Sequence, residues 1–176
     1  MFDGVVLGVD PGLALTGLAA LRSTSGHPQL DWSDTVRTPG GMAEPLRLRR
    51  VYGAVRDALD RHRAAVVAVE RVMWGRNVGS ALSVARATGV VLLAAADAGL
   101  PVEEYAPLEV KMAVTGVGNA AKDQVRRALV GMHGLGAVPV QPDAADAVAV
   151  ALCHLQQSKM RELMRGSARP QRVARS

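Results

Sequence analysis

Residues 5–12, Val-Val-Leu-Gly-Val-Asp-Pro-Gly, constrain the fold more than any other stretch of the 176-residue chain. Val5, Val6, Leu7 and Val9 make a run too continuously apolar for a half-exposed strand, and predict a strand covered on both faces. The run ends in Asp10, after which Pro11-Gly12 turns the chain. A carboxylate at the end of a core strand is costly unless something cationic compensates it. Taken alone, Asp10 is equally well explained as a turn former, because Asp-Pro-Gly suits a turn.

The pattern that follows is an α/β one. Residues 17–22 and 30–38 read as two more strands, separated by a polar turn at 23–28, and make an antiparallel meander with the first. Thr38-Pro39-Gly40-Gly41 breaks it. Glu44 and Pro45 open a helix in which Leu48, Tyr52, Val55 and Leu59 share one face. Its arginines (Arg47, Arg49, Arg50, Arg56, Arg61 and Arg63) are diluted by Asp57 and Asp60, and read as a solvated outer face. Residues 64–69 form a short apolar strand that also ends in an acid, Glu70. A loop at 71–77 leads to an Ala- and Gly-rich helix at 80–97, closed by Gly99. A strand at 101–105 and a short helix at 108–114 follow, then a helix at 120–132 with Asn119 as N-cap. The last helix runs from 143 to about 163. This order predicts an α/β fold with a mixed five-stranded sheet and helices on both faces. It also predicts one domain over residues 1–163 and a disordered basic tail over 164–176.

Charge bears on the choice of partner. The chain has 21 basic and 16 acidic residues. Residues 161–176 hold five arginines against Glu162, so the body is nearly balanced. A nucleic-acid surface on the body must therefore come from local asymmetry. The single Cys153 excludes a disulfide framework and predicts a reducing, cytoplasmic setting. No apolar run is long enough to cross a membrane, and too few Cys and His cluster to suggest zinc.

Two core strands ending in carboxylates predict a site. If they are parallel neighbours, Asp10 and Glu70 lie side by side where open α/β sheets place ligands. Adjacent buried carboxylates share a proton or bind a metal. Asp143 and Asp146, three residues apart, share one face of the last helix. As a pair they suit helix capping and the helix dipole. The alanines around them nevertheless allow that helix to approach the sheet closely. Together Asp10, Glu70, Asp143 and Asp146 form an all-oxygen set suited to Mg²⁺ or Mn²⁺. Two such ions can activate water and stabilise the leaving oxygen in phosphodiester hydrolysis.

Four segments carry a family resemblance: Gly8-Val9-Asp10-Pro11-Gly12, Val69-Glu70-Arg71-Val72, Glu104-Tyr105 with Val110-Lys111, and Asp143-Ala144-Ala145-Asp146-Ala147. In order and spacing they are similar to RuvC, the bacterial Holliday-junction resolvases, over about residues 4–155. The resemblance implies an RNase H-like fold and a homodimer that makes paired, symmetric, Mg²⁺-dependent nicks in a four-way DNA junction. The products carry 5′-phosphates. It makes Asp10, Glu70, Asp143 and Asp146 the catalytic acids and ligands of two metal ions, and gives Lys111 and Lys122 phosphate contacts. Without it, both lysines read as ordinary exposed side chains. The RuvA–RuvB branch-migration machinery is the implied partner, and recombination and repair the implied process.

The chain departs from the family pattern where the family often carries a stacking Phe, and Met73 stands here, followed by Trp74. A loop with both residues, Arg76 and Asn77 suits base stacking beside phosphate contacts. In the helix at 80–97, Ala81, Leu82, Ala85 and Gly89 share a side, suited to core packing or to a two-fold interface. The first segment also resembles the phosphate loop of actin-like ATPases, but the chain is short for their second domain. A junction-binding module without catalysis, and an RNase H-like nuclease acting on another substrate, are also compatible with the fold.

Overall fold

β1 (Val5–Asp10) lies at the centre of the sheet, where both of its faces are covered. The structure is a computed structural model that describes residues 4–72, 78–136 and 138–167. Along these the chain forms β1, β2 (Leu15–Thr24), β3 (His27–Arg37), α1 (Glu44–His62), β4 (Ala64–Glu70), α2 (Val78–Asp97), β5 (Val102–Tyr105), α3 (Pro107–Thr115), α4 (Lys122–Gly131) and α5 (Pro142–Ser167). The strands stand in the order β3-β2-β1-β4-β5. β1 and β3 are antiparallel to β2, whereas β1–β4 and β4–β5 are parallel. The mixed five-stranded sheet expected from the sequence is the one observed.

Alternation along β1 divides the core in two. Leu7 and Val9, with Leu18, Val67 and Val69, pack beneath α1 and α2 against Val51, Val55 and Val91. Val6, with Ala19, Leu21, Val66 and Ala68, packs on the opposite face against α5. α5 is apolar on all sides along its middle, and every residue from Ala147 to Leu155 is buried. Val110, Val114, Val125 and Leu129 of α3 and α4 belong to the same core layer.

α5 comes closer to the sheet than side chains permit. A Cβ on Gly8 would lie 2.2 Å from the Ala147 carbonyl oxygen, and one on Gly17 would lie 1.9 Å from that of Asp143. The missing side chains of β1 and β2 are what let the helix backbone rest on the strands.

Several helix boundaries differ from expectation for local reasons. α4 starts at Lys122 with Ala121 as N-cap, not Asn119. The Gln124 side chain accepts the Ala121 N–H at 2.7 Å, which sets the later start. Glu109 does the same for Ala106 at the start of α3, also at 2.7 Å. In α5 the Gln141 carbonyl accepts the Ala145 N–H at 3.1 Å, so Asp143 lies inside the first turn and is not the N-cap. α5 continues to Ser167, so residues 164–167, expected to be disordered, are helical. Residues 168–176 lie outside the described residues. Among the described residues no helix is long and apolar enough to cross a membrane.

One buried polar pair ties α5 to the end of the sheet. The Tyr105 hydroxyl meets His154 Nδ1 at 2.8 Å, and both residues are buried. Tyr105 is the β5 partner of Glu70. Removing one member of a buried hydrogen bond leaves the other unsatisfied, so Tyr105→Phe is expected to cost about 1–3 kcal/mol, read as a shifted urea midpoint.

Candidate active site

The alternation that divides the core also aims the acids. Asp10 continues the face of Val6 and Gly8, and Glu70 continues that of Val66 and Ala68. That is the face on which α5 lies. The parallel register sets Val9 opposite Val69, so Asp10 and Glu70 end neighbouring strands side by side. On its other side Asp10 pairs with Gly17, and Gly17 is the residue on which the Asp143 carbonyl rests. The first turn of α5 therefore lies over the end of the β1–β2 pair, bringing Asp143 and, one turn along, Asp146.

The electrostatics reflect the same convergence. Burial pushes the Asp10 carboxyl up from 3.8 to about 7, with Glu70, Asp146 and Asp143 adding repulsion and Lys122 opposing it. Glu70 is raised too, first by burial and then by Asp146, with Lys122 and Lys111 opposing. Lys122 Nζ donates to Asp146 Oδ2 at 2.6 Å. That bond is the main cause of the raised Lys122 pKa, with Asp146, Asp10 and Asp143 adding attraction against burial. All six residues singled out on these elements from the sequence are thus brought within one field: four acids from β1, β4 and α5, and two lysines from α3 and α4.

Among the described residues, no three Asp, Glu, His or Cys side chains are drawn tightly enough, as they stand, to hold a metal ion. The Lys122 ammonium takes up one face of Asp146. The donor chemistry nevertheless fits a hard divalent cation, since every candidate ligand is a carboxylate. The Asp10 carboxyl is held up first by burial and then by its acidic neighbours, and Lys122 offsets them only in part.

The stacking residues Met73 and Trp74, with Arg76 and Asn77, lie outside the described residues. Arg71, at their threshold, donates its N–H to the Tyr105 carbonyl at 2.8 Å, and its guanidinium reaches the Glu104 carbonyl oxygen at 3.3 Å. The side of α2 singled out in the sequence divides in the fold. Ala81 is buried and Ala85 half-buried, whereas Leu82 and Gly89 are exposed, as is Leu93 one turn further along. Sequence reasoning missed the part played by Gly8 and Gly17. A glycine inside a strand pattern is the signal that marks such close approaches.

Comparison with known proteins places the chain in context. Residues 6–154 match the family model of Crossover junction endodeoxyribonuclease RuvC. A protein of that name from Syntrophomonas wolfei is 42% identical over 163 residues, 93% of this chain and 95% of its own. One from Moorella thermoacetica is 43% identical over 150 residues, 85% and 90% of the two chains. The solved structure of Thermus thermophilus RuvC superposes with a TM-score of 0.80 at 36% identity, covering 89% of this chain and 96% of that one. The same protein in complex with a Holliday junction substrate gives 0.83 at 36% identity, with 90% and 96% covered.

Proposed function

The chain belongs to the RuvC family of crossover junction endodeoxyribonucleases, and from that premise we propose how its own residues cut DNA. It is an RNase H-like endonuclease that resolves Holliday junctions in recombination and repair. The observation that carries the assignment of residues is the burial of Asp10 in the field of Glu70, Asp143 and Asp146, opposed by Lys122.

Asp10, Glu70, Asp143 and Asp146 would hold divalent metal, Mg²⁺ or Mn²⁺, as two ions. Bound there, the ions would supply an activated water and neutralise charge at the leaving oxygen. The chain's part is to present the carboxylates, shed their protons and place the phosphodiester. Because burial and the neighbouring acids hold the Asp10 carboxyl up to about 7, a cation held there would compete with a proton, and its affinity would rise with pH through that range. With Asp146 holding a cation, the Lys122 ammonium would be free to take a phosphate oxygen, and Lys111 would neutralise the same strand from α3. The expected stacking of Met73 or Trp74 beside Arg76 and Asn77 belongs to this proposal too.

Lys122→Met is expected to lower cleavage by about a hundredfold, the usual weight of one charge-stabilising donor. Because Lys122 lowers the Asp10 and Glu70 pKa values, its loss raises both. The deficit should therefore be larger at pH 6.5 than at pH 8.5 in a cleavage pH profile.

A homodimer is supported by the exposed Leu82 and Leu93 on one stripe of α2, at 44% and 54% exposure. Two copies matched to a two-fold junction place one site on each of two strands. Partnership with RuvA–RuvB rests on the family alone, and a reducing cytoplasm on the single, buried cysteine. The test is a side-by-side cleavage of a four-way junction, its duplex arms and an RNA–DNA hybrid in Mg²⁺. Symmetric nicks in the junction alone are expected. Binding of the junction without nicking in Mg²⁺ or Mn²⁺ would refute the assignment of the acids, and preferential cutting of the hybrid would refute the substrate.

A further inference from the structure

The turn that follows Asp10 is held by two hydroxyls and a guanidinium that the cleavage chemistry does not use. Thr16 is fully buried and Thr38 is 3% exposed. Thr16 Oγ1 donates to the Gly12 carbonyl oxygen at 2.7 Å. Thr38 Oγ1 donates to the Leu13 carbonyl, and the Thr38 N–H donates to that of Ala14 at 3.0 Å. Arg47 Nε in turn donates to Thr38 Oγ1 at 2.8 Å. The directions are unambiguous. A carbonyl only accepts and a guanidinium only donates, so the Thr38 hydroxyl gives its proton to Leu13 and a lone pair to Arg47.

Three successive carbonyls of the turn are therefore pinned, one from β2 and two from Thr38 just after β3, and Thr38 is itself braced from the first turn of α1. The pinning opposes a definite force. Asp10 is repelled by Glu70, Asp146 and Asp143, and a yielding turn would let it swing away from them. Gly12 leaves no slack either, since a Cβ there would lie 2.3 Å from the Leu15 carbonyl oxygen. The charged donor polarises the Thr38 hydroxyl and strengthens its bond to Leu13.

We propose that Thr38, braced by Arg47, is a positioning residue that holds the turn at residues 11–14 so that Asp10 stays beside Glu70 and faces the divalent cation. The inference rests on Asp10 being a metal ligand. Thr38 touches neither the cation nor DNA in this role. It acts through the backbone of Leu13 and Ala14, as supports behind a ligand do in other metal sites.

The test uses the full chain with Thr38→Val, which keeps the branched shape and deletes the hydroxyl, Thr38→Ser, which restores it, and Arg47→Met. Two quantities are read: the Mg²⁺ concentration for half-maximal junction cleavage, and the rise in melting temperature that Mn²⁺ produces without DNA. Thr38→Val is expected to raise the half-maximal Mg²⁺ about tenfold, the low end for loss of a ligand support. It should shrink the Mn²⁺-induced rise and leave junction affinity in EDTA within about twofold, since phosphate contacts are untouched. Thr38→Ser should restore both quantities, and Arg47→Met should move them in the same direction by less. If Thr38→Val and Arg47→Met lower the metal-free melting temperature but keep the wild-type Mg²⁺ requirement and Mn²⁺ response, Thr38 is merely structural and the inference fails. Should Thr38→Val not fold, Arg47→Met alone decides on the same two quantities. If Asp10→Asn retains the full Mn²⁺ response, the metal assignment itself falls, and this inference with it.

Discussion

Asp10→Asn is expected to abolish junction cleavage, by about a thousandfold or more, and yet to make the metal-free protein more stable at pH 8. The second half is the more diagnostic. In the folded chain the Asp10 carboxyl titrates at about 7, against 3.8 in its unperturbed state. A folded-state pKa above the unfolded one means that the native state binds the proton more tightly. Stability is then greatest below about pH 4, falls as pH rises between the two values, and reaches its floor above pH 7. Holding the carboxyl up from 3.8 to about 7 corresponds to a penalty of about 4 kcal/mol once the group is ionised in both states. Asparagine keeps the shape and removes the charge. Regaining half of that penalty would raise the melting temperature by about 4–8 °C at pH 8 in EDTA. At pH 4, where the native carboxyl is neutral, wild type and variant should melt together. Divalent cation should stabilise the wild type at pH 8 and have little effect on the variant. A variant that melts no higher than wild type at pH 8 would show that Asp10 is not under the strain its surroundings imply.

Gly17→Ala is expected to cost about 3 kcal/mol or more, the upper range for overpacking, and to impair cleavage in whatever protein still folds. A methyl group there would sit 1.9 Å from the Asp143 carbonyl oxygen. That neighbour is backbone and has no rotamer to change, so α5 must lift from the sheet. Lifting it moves Asp143 and Asp146 away from Asp10. Gly8→Ala meets the Ala147 carbonyl oxygen at 2.2 Å and should behave alike. Gly53 provides the contrast. It lies inside α1 with nothing within 4 Å of a Cβ. Gly53→Ala should stabilise the chain by about 0.5–1 kcal/mol through helix propensity alone. Urea denaturation of the three variants measures this directly. Equal costs at Gly17 and Gly53 would mean that the close approach of α5 does not govern the fold.

The contrast among these glycines shows how far sequence reasoning reaches. Apolar runs and their ends are legible because alternation and helical periodicity are properties of the chain itself. Residues 5–9 and 64–69 announce core strands, and Asp10 and Glu70 stand out as acids at their ends. The pairing of β1 with β4 is not legible in the same way, because the helix crossover leads from β3 to β4, yet β4 lies beside β1 in the sheet. Helix starts are less legible. Asn119 is a good capping residue, but Gln124 displaces it by accepting the Ala121 N–H. Asp143 suits an N-cap, but Gln141 opens the helix and leaves the carboxylate inside the first turn.

By itself, the sequence determined which residue types this protein has for its chemistry, and on which elements they lie. It supplied the carboxylates on β1, β4 and α5, the lysines on α3 and α4, and a hydrophobic pattern compatible with one mixed sheet. Only the tertiary structure decided that the acids share a face, because that requires the register of Val9 on Val69 and the seating of α5 on Gly8 and Gly17. It also decided that Thr16, Thr38 and Arg47 converge on the turn after Asp10. Periodicity is local and survives in the linear chain. Contact between residues more than a hundred positions apart depends on backbone distances of a few ångströms, which packing alone sets.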